Sequence, residues 1–268
     1  MRHPLHGQIV LVTGGGSGIG RLLALGAARR GAEVVIWDLS EATAAGVAAE
    51  ITGRGHRARA AAVDVSDRAA VEVAAQDAGP IDVLINNAGV VTGKDLLDAS
   101  DEAIERTFRV NTLALFWTTR AFLPGMMARD RGTVVTISSA AGLVGVARQT
   151  DYSASKFAAF GFAESLRVEL AKKRARVNSL VVCPYYIDTG MFDGVKTKFP
   201  LVLPILKPEN VAERILASVE RGNSRLVMPR LLHALPVLRV FPVRGFDTVM
   251  RFLGVNSTMD YFVGRARP

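Results

Sequence analysis

The chain opens with a strand, a glycine-rich turn and a helix in direct succession. Residues 8–13 are apolar almost throughout and partly β-branched, which predicts a short buried strand. Gly14, Gly18 and Gly20 follow at once, and helix-forming residues extend over 21–30. Such a turn lets the backbone approach a pyrophosphate, and the helix N-terminus adds amide donors and partial positive charge. The segment predicts an α/β fold with a dinucleotide-binding loop; a merely flexible turn is the alternative.

The second predicted strand, residues 33–38, ends in an acidic residue. Asp38 lies eighteen residues beyond Gly20. An aspartate at this point accepts hydrogen bonds from both hydroxyls of the adenosine ribose, and its charge repels a 2′-phosphate. Neither Trp37 nor Leu39 supplies a cation for that phosphate. Asp38 therefore favours NAD over NADP as the cofactor, and a solvated acid at a strand end is the alternative.

A tyrosine, a lysine and a serine have the spacing of a proton-transfer site. Tyr152 and Lys156 are four residues apart, and Ser139 lies thirteen residues before the tyrosine. On a helix, the phenol and the ammonium would project from the same face. A free tyrosine titrates near pH ~10, so we expect the neighbouring lysine to lower its pKa and make it a useful base. Ser138, the neighbour of Ser139, is the alternative candidate for the serine of this site.

These motifs, in this order, resemble those of the short-chain dehydrogenase/reductase family. The resemblance covers roughly residues 7–228 and also includes residues 86–89, Asn-Asn-Ala-Gly. It implies a single Rossmann-like domain over residues 1–268, with a doubly wound parallel sheet of about seven strands, helices on both faces and a C-terminal extension. The alternation of predicted strands and helices over residues 8–228 agrees with such a sheet.

The resemblance also implies roles for individual residues. The thirteen-residue interval selects Ser139, and Asn111 would complete a catalytic tetrad with Ser139, Tyr152 and Lys156, at a kink that holds a water in a helix over 101–129. Tyr185 departs from the family, which usually has glycine there. The residues expected to bind the dinucleotide are Gly14, Ser17, Gly18, Ile19, Gly20, Asp38, Asp64, Val65, Asn87, Ala88, Gly89, Tyr152, Lys156, Pro184, Ile187 and Thr189.

A narrower resemblance concerns the substrate. Residues 35–38, 116–119, 123–127, 155–159, 188–192 and 251–254 are similar to the branch that contains retinol dehydrogenases and 17β-hydroxysteroid dehydrogenases. That branch oxidises bulky lipophilic alcohols, mostly with NAD. The family also commonly forms homodimers or homotetramers through the helices that hold Asn111 and Tyr152, so the resemblance implies a homo-oligomer.

Two apolar segments late in the chain belong to this interpretation. Residues 191–208 are rich in leucine, valine and isoleucine, and we expect them to form a lid over a lipophilic substrate. Residues 229–268 form an extension in which arginines punctuate apolar runs. Basic residues beside leucine and phenylalanine suit peripheral contact with an anionic membrane. The competing interpretation, which the apolar runs favour, is burial of the extension over the pocket or against a partner subunit.

Composition narrows the remaining classes. A single cysteine, Cys183, excludes an intrachain disulfide and favours a reducing, cytoplasmic location, with the thiol as a small buried side chain. His3, His6, His56 and His233 are dispersed, so we expect no metal site. The net charge of +8 is spread along the chain without a nucleic-acid motif, which argues against that partner. Residues 1–8 are too short for a signal peptide or a membrane anchor.

The sequence therefore predicts an NAD-dependent oxidoreductase that interconverts a lipophilic alcohol and its ketone or aldehyde. Tyr152 as phenolate would take the hydroxyl proton, with Ser139 holding the substrate, and the cofactor would accept the hydride. Lys156 would also hold the nicotinamide ribose. Two alternatives remain open: an NADPH-dependent carbonyl or 3-oxoacyl reductase, and a catalytically silent module that binds lipid or dinucleotide.

Overall fold

The computed structural model describes residues 4–264, and these form a parallel sheet of seven strands in the order β3-β2-β1-β4-β5-β6-β7. The central strands carry runs of valine, isoleucine and leucine that are buried on both faces, as parallel sheets require. The strands are β1 (Ile9–Thr13), β2 (Glu33–Asp38), β3 (Ala58–Ala62), β4 (Val83–Asn86), β5 (Gly132–Ile137), β6 (Val177–Pro184) and β7 (Arg225–Met228).

Helices cover both faces of the sheet. One face packs against α1, α2 and α7 through a core that includes Leu23, Val47 and Ile215, and the other packs against α3, α5 and α6 around Trp37 and Leu166. The helices are α1 (Gly18–Arg29), α2 (Glu41–Thr52), α3 (Arg68–Ala78), α4 (Asp101–Phe108), α5 (Ala114–Ala128), α6 (Thr150–Lys172), α7 (Pro208–Glu220), α8 (Leu235–Leu238) and α9 (Val243–Phe252). The predicted Rossmann-like fold is confirmed.

Some element limits differ from the sequence expectation. Helix α1 begins at Gly18, inside the glycine-rich loop rather than after it, so its first amides belong to that loop. The helix expected over residues 101–129 is interrupted at 109–113 by a π-helical turn that contains Asn111. Such turns carry an extra residue per turn and commonly mark functional sites. The interruption separates α4 from α5.

The C-terminal extension folds back over the carboxyl ends of β6 and β7. A 3-10 turn (Arg230–Ala234), α8, α9 and a second 3-10 turn (Val255–Ser257) pack on a separate apolar cluster that includes Tyr185, Leu203 and Met259. Arg148 donates to the carbonyls of Met259 (2.9 Å) and Asp260 (3.2 Å), which fixes the end of the extension beside α6. Leu232, Leu235 and Met250 of this segment are buried over the pocket, whereas Val240 and Phe241 are exposed, so the burial is partial.

No helix among residues 4–264 is both long and apolar enough to cross a membrane. Residues 1–3, which include His3 and belong to the segment expected to be too short for an anchor, lie outside the described residues. Residues 265–268, the last four of the extension, also lie outside them.

Candidate active site

The glycine-rich loop is packed so closely that side chains cannot be added to it. Gly14 has a left-handed backbone (φ 61°), and a Cβ on Gly20 would lie 2.0 Å from the Gly14 carbonyl oxygen. Asn87 secures the loop from β4, since its amide nitrogen donates to the carbonyls of Thr13 (2.9 Å) and Gly14 (3.1 Å). The loop therefore presents backbone amides and the N-terminus of α1 to one open side, which suits a pyrophosphate.

Asp38 is held at the end of β2, beside this loop. Its Oδ2 accepts from the backbone N–H of Gly16 at 2.9 Å, and its Oδ1 accepts from the N–H of Ser40 at 3.1 Å. The Thr43 hydroxyl lies 3.4 Å from Oδ1. Within residues 4–264, Asp38 forms no ion pair. An uncompensated carboxylate thus lies where an adenosine ribose would end.

A cavity of about 740 Å³ runs from the glycine loop to Tyr152 along the carboxyl ends of the strands. Every residue that the sequence analysis assigned to the dinucleotide lines it: Gly14, Ser17, Gly18, Ile19, Gly20, Asp38, Asp64, Val65, Asn87, Ala88, Gly89, Tyr152, Lys156, Pro184, Ile187 and Thr189. Arg106 and Arg109 also line it, and no local motif singled them out. The cradle of amides, the carboxylate and the elongated shape fit a dinucleotide.

Ser139, Tyr152 and Lys156 meet at the far end of this cavity. Ser139 follows β5, and its hydroxyl accepts from the backbone N–H of Ala141 at 3.1 Å, close enough to the buried phenol of Tyr152 to act on its pKa. Lys156 lies one turn further along α6, with Nζ 5.6 Å from the Tyr152 ring centroid and 3.0 Å from the Ile137 carbonyl oxygen to which it donates. The Ser138 hydroxyl donates instead to the Lys156 carbonyl at 2.8 Å. Ser139 is therefore the serine that adjoins the tyrosine.

Burial dominates the titration of this pair. It raises the pKa of the Tyr152 phenol well above its ordinary value, an effect that the hydrogen bond from Ser139 only partly opposes and the nearby Tyr186 reinforces. Burial also lowers the pKa of Lys156 from 10.5 to about 8. The expected net lowering of the Tyr152 pKa is wrong for the protein without ligands, because desolvation of the phenolate by burial is the largest cause of the shift and raises that pKa.

Asn111 reaches the site from the π-helical turn. Its Oδ1 accepts from the backbone N–H of Val90 at 2.9 Å, and its Nδ2 donates to the Val90 carbonyl (2.9 Å) and to the Ser155 hydroxyl (3.0 Å). Both amide hydrogens are thereby used. The side chain joins the loop after β4 to α6 between Tyr152 and Lys156, so the geometry supports a positioning role.

A second, smaller cavity of about 300 Å³ opens beside Tyr152 and is almost wholly apolar. Tyr152, Ser139, Tyr185 and Phe192 line both cavities, so the two meet at the tyrosine. The extension supplies much of its wall, namely Leu231, Leu232, Ala234, Leu235, Leu238, Met250, Leu253 and Val255. The 191–208 segment contributes less than the sequence suggested, since Leu201 is fully exposed and only Phe192, Val202 and Leu203 reach the cavity.

The remaining candidate residues do not add chemistry to the site. Cys183 is fully buried near the end of β6, and burial raises the pKa of its thiol to about 12, which keeps it protonated. Among residues 4–264, no three His, Cys, Asp or Glu side chains gather as a metal site.

Comparison with known proteins places this geometry in a family. The family described as short chain dehydrogenase matches residues 8–199. The chain belongs to this family. Its glycine cradle, the dinucleotide-shaped cavity and the buried tyrosine belong to a dinucleotide-dependent oxidoreductase.

Similar proteins cover nearly the whole chain. Human epidermal retinol dehydrogenase 2 is 44% identical over 99% of this chain and 88% of its own length. Retinol dehydrogenase 10-B of Danio rerio is 38% identical over 98% and 87% respectively. A short-chain dehydrogenase/reductase from Burkholderia phymatum, solved with NAD, has a TM-score of 0.80 at 24% identity, covering 89% of this chain and 95% of its own. A metagenomic relative solved with NADP has a TM-score of 0.71 at 29% identity, covering 84% and 97%.

Proposed function

We propose that this protein oxidises a lipophilic alcohol, or reduces the corresponding ketone or aldehyde, with NAD as its cofactor. The observation that carries the proposal is the meeting of a dinucleotide-shaped cavity and an apolar cavity at Ser139 and Tyr152. An alcohol in the apolar cavity would have its hydroxyl beside Tyr152 and its carbon facing the cofactor site. The names of the retinol dehydrogenases to which the chain is similar support a lipophilic substrate.

The bound nicotinamide would accept or supply the hydride; the protein's residues would hold the substrate and move the proton. Ser139 would hydrogen-bond the substrate oxygen, and Tyr152 would exchange its proton with it. Lys156 would hold the nicotinamide ribose and place positive charge beside the phenol. Asn111 would set the position of Tyr152 and Lys156 through Val90 and Ser155.

The raised pKa of Tyr152 bears on the direction in which the reaction runs at a given pH. A phenol that stays protonated at neutral pH is the form that donates a proton to a carbonyl oxygen, so reduction can begin from the resting site. Oxidation needs the phenolate, which becomes more available as the pH rises. The pH dependence of the two directions should therefore be opposite.

Asp38 supports NAD rather than NADP. The carboxylate has no cationic partner among the described residues, so the 2′-phosphate of NADP would approach an uncompensated negative charge. NAD instead offers two ribose hydroxyls that can donate to it. One solved relative holds NAD and another holds NADP, each on its own protein.

The direct test measures reduction of NAD⁺ and NADP⁺ by purified protein against retinol, hydroxysteroids, long-chain secondary alcohols and short alcohols. Turnover with NAD⁺ that is confined to the bulky apolar alcohols is expected. Tyr152→Phe should remove turnover and keep NAD binding, which separates the chemical step from cofactor capture. Equal turnover of short alcohols, or a preference for NADP⁺, would contradict the proposal.

We also infer that the protein forms a homo-oligomer through α5 and α6. Leu113, Phe116, Phe157 and Val168 leave large apolar side chains exposed on the π-helical turn and on these helices. Burial against a second copy would remove this apolar surface from water. Light scattering of the eluted protein should give a dimer or tetramer mass, and Phe116→Glu with Val168→Glu should lower that mass.

We also propose that the extension brings the protein into peripheral contact with a membrane. Val240, Phe241, Val243 and Phe252 are exposed around α9, next to the residues that enclose the apolar cavity. Arg230, Arg244 and Arg251 are also exposed here, and α9 carries one acid, Asp247. Apolar side chains flanked by arginine suit the surface of an anionic bilayer.

Vesicle sedimentation tests this contact. Binding to vesicles with phosphatidylserine should exceed binding to vesicles of phosphatidylcholine alone, and it should fall in Val240→Ser with Phe241→Ser. Absence of binding to either vesicle at low salt would exclude the contact.

A further inference from the structure

Phe192 lies directly beside the proton-transfer tyrosine. The centroids of the Phe192 and Tyr152 rings are 5.7 Å apart and the ring planes meet at 80°, which is an edge-to-face contact. Phe192 is only partly buried. The two cavities meet at a junction formed by the four residues that line both, namely Ser139, Tyr152, Tyr185 and Phe192. An apolar ring therefore borders the open space next to the phenol.

The ring of Phe192 is also held by the end of the chain. Its centroid lies 5.1 Å from that of Tyr186 and 6.4 Å from that of Phe262. The next residue, Asp193, accepts at its carbonyl from the backbone N–H of Val263 at 2.8 Å. The ring is packed among these neighbours, so it cannot move aside unless the end of the extension moves as well.

The carbon that is oxidised needs space in four directions at this junction. Its oxygen would face Ser139 and Tyr152, and its hydrogen would face the nicotinamide in the larger cavity. One carbon substituent can enter the apolar cavity of about 300 Å³. The other substituent has to stay at the junction, because the larger cavity is the one assigned to the dinucleotide.

Phe192 is the side chain that restricts this remaining space. Ser139 and Tyr152 are the partners of the substrate oxygen, and Tyr185 is more deeply buried than Phe192. We propose, resting on the oxidoreductase function above, that the Phe192 ring limits the second substituent of the oxidised carbon to hydrogen or methyl. The substrate class is then a primary alcohol or a methyl carbinol with one long apolar arm, or the corresponding aldehyde or methyl ketone.

Three alcohols with the same nine-carbon arm test this limit. 1-Decanol, 2-undecanol and 4-tridecanol carry hydrogen, methyl and propyl respectively as the second substituent. A packed site that has to accommodate extra methylene groups loses roughly tenfold or more in kcat/KM. With NAD⁺ and wild type, kcat/KM for the better enantiomer of 4-tridecanol should therefore be at least about tenfold below that of 2-undecanol.

Removing the ring should relax this discrimination. In Phe192→Ala, the ratio of kcat/KM for 4-tridecanol to kcat/KM for 2-undecanol should rise at least about fivefold over wild type. The ratio is taken within one protein, so a general loss of activity from disturbing Tyr152 cancels. Phe192→Leu is the smaller change; it should give an intermediate ratio and serves as the test if the alanine variant does not fold.

Phe199→Ala is the matched control, because Phe199 lies in the same 191–208 segment and is not among the residues that line either cavity. Its ring packs on Phe252, with centroids 5.6 Å apart. This variant should leave the ratio within about twofold of wild type. If the Phe192 variants also keep the wild-type ratio, or if wild type turns over all three alcohols alike, the limit assigned to Phe192 is wrong.

Failure of the proposed function has a different signature, which is no turnover of any of the three alcohols with NAD⁺ or NADP⁺. Binding then decides the role of Phe192 by itself, through the rise in Tm that each alcohol gives to NAD-saturated wild type and Phe192→Ala. A rise for 4-tridecanol, relative to 2-undecanol, that is larger in the variant supports the limit. Equal rises in the two proteins, or no rise in either, overturn it.

Discussion

Replacing Lys156 by methionine should make the nucleotide-free protein more stable at neutral pH while removing its activity. Lys156 is 4% exposed, and its ammonium donates to the Ile137 carbonyl at 3.0 Å. Burial nevertheless lowers its pKa from 10.5 to about 8, so the folded protein holds this charge at a cost. Methionine has a similar length and no charge to desolvate.

The size and the pH dependence of the effect follow from that shift. A lowering from 10.5 to about 8, at about 1.4 kcal/mol per pKa unit, corresponds to roughly 3 kcal/mol. Below pH ~8 the lysine is protonated in both states, and the folded state bears the full cost. Between the two pKa values the unfolded chain binds more protons, so wild-type stability rises with pH; above pH ~10.5 the cost is gone.

The loss of the hydrogen bond to Ile137 lowers the stability of the methionine variant by about 1–3 kcal/mol. The loss of this hydrogen bond is the same at every pH, whereas the desolvation cost of the lysine charge depends on pH. The advantage of Lys156→Met over wild type should therefore shrink by about 3 kcal/mol as the pH rises from about 7 to about 10.5. In a domain of this size, that is a relative change in Tm of about 6–12 °C.

Thermal unfolding of both proteins at several pH values, without nucleotide, measures this change. Lys172→Met, at an exposed position of the same helix, is the control and should show a difference from wild type that does not depend on pH. A difference for Lys156→Met that also stays constant between about pH 7 and 10.5 would refute the reasoning, because the buried lysine would then carry no desolvation cost.

Gly20→Ala should weaken NAD binding at least about tenfold and lower stability by about 1–3 kcal/mol, since the new Cβ would lie 2.0 Å from the Gly14 carbonyl oxygen. Titration with NAD and thermal unfolding measure the two effects. In the same assays the control Gly46→Ala should be neutral or stabilising, because a Cβ there would have nothing within 4 Å. Asp38→Ala should raise the KM for NAD⁺ about 10–100-fold and remove most discrimination against NADP⁺, and an unchanged cofactor ratio would contradict the role of its charge. Because burial raises the pKa of Tyr152, kcat/KM for oxidation should rise from neutral to alkaline pH, while kcat/KM for reduction should fall. Both are measured as initial rates over the same pH range. If kcat/KM depends on pH in the same way in both directions, the proton is not exchanged through this residue.

The local motifs predicted which residues come together along the larger cavity. The loop from Gly14 to Gly20 and the acid Asp38 lie within two consecutive β-α units, where chain direction and sheet register leave few alternatives. Asn87 and Ile187 follow parallel strands, and the carboxyl ends of such strands meet at one edge. The positions of these residues along the sequence were therefore nearly sufficient to bring them to one cavity.

The lining of the apolar cavity was predicted less well, because it is built from segments distant in the chain. From the sequence, residues 191–208 were predicted to form the lid. In the structure Leu201 is fully exposed, and the extension encloses much of the apolar cavity. Asn111 was predicted at a kink, but its hydrogen bonds to Val90 and Ser155 depend on how two helices and a loop pack. No periodicity in the sequence encodes such contacts.

The sequence by itself determined the fold class, the place of the glycine-rich loop and the candidates for proton transfer, because strand pattern, glycine geometry and one-turn helical spacing are local properties. Only the tertiary structure decided the electrostatics and the shape of the substrate site. The pKa of Tyr152 rises because neighbouring segments exclude water from the phenol, and the apolar cavity beside it is enclosed by residues 231–255 from the far end of the chain. Burial is a property of the whole packed chain, and residue spacing does not specify it.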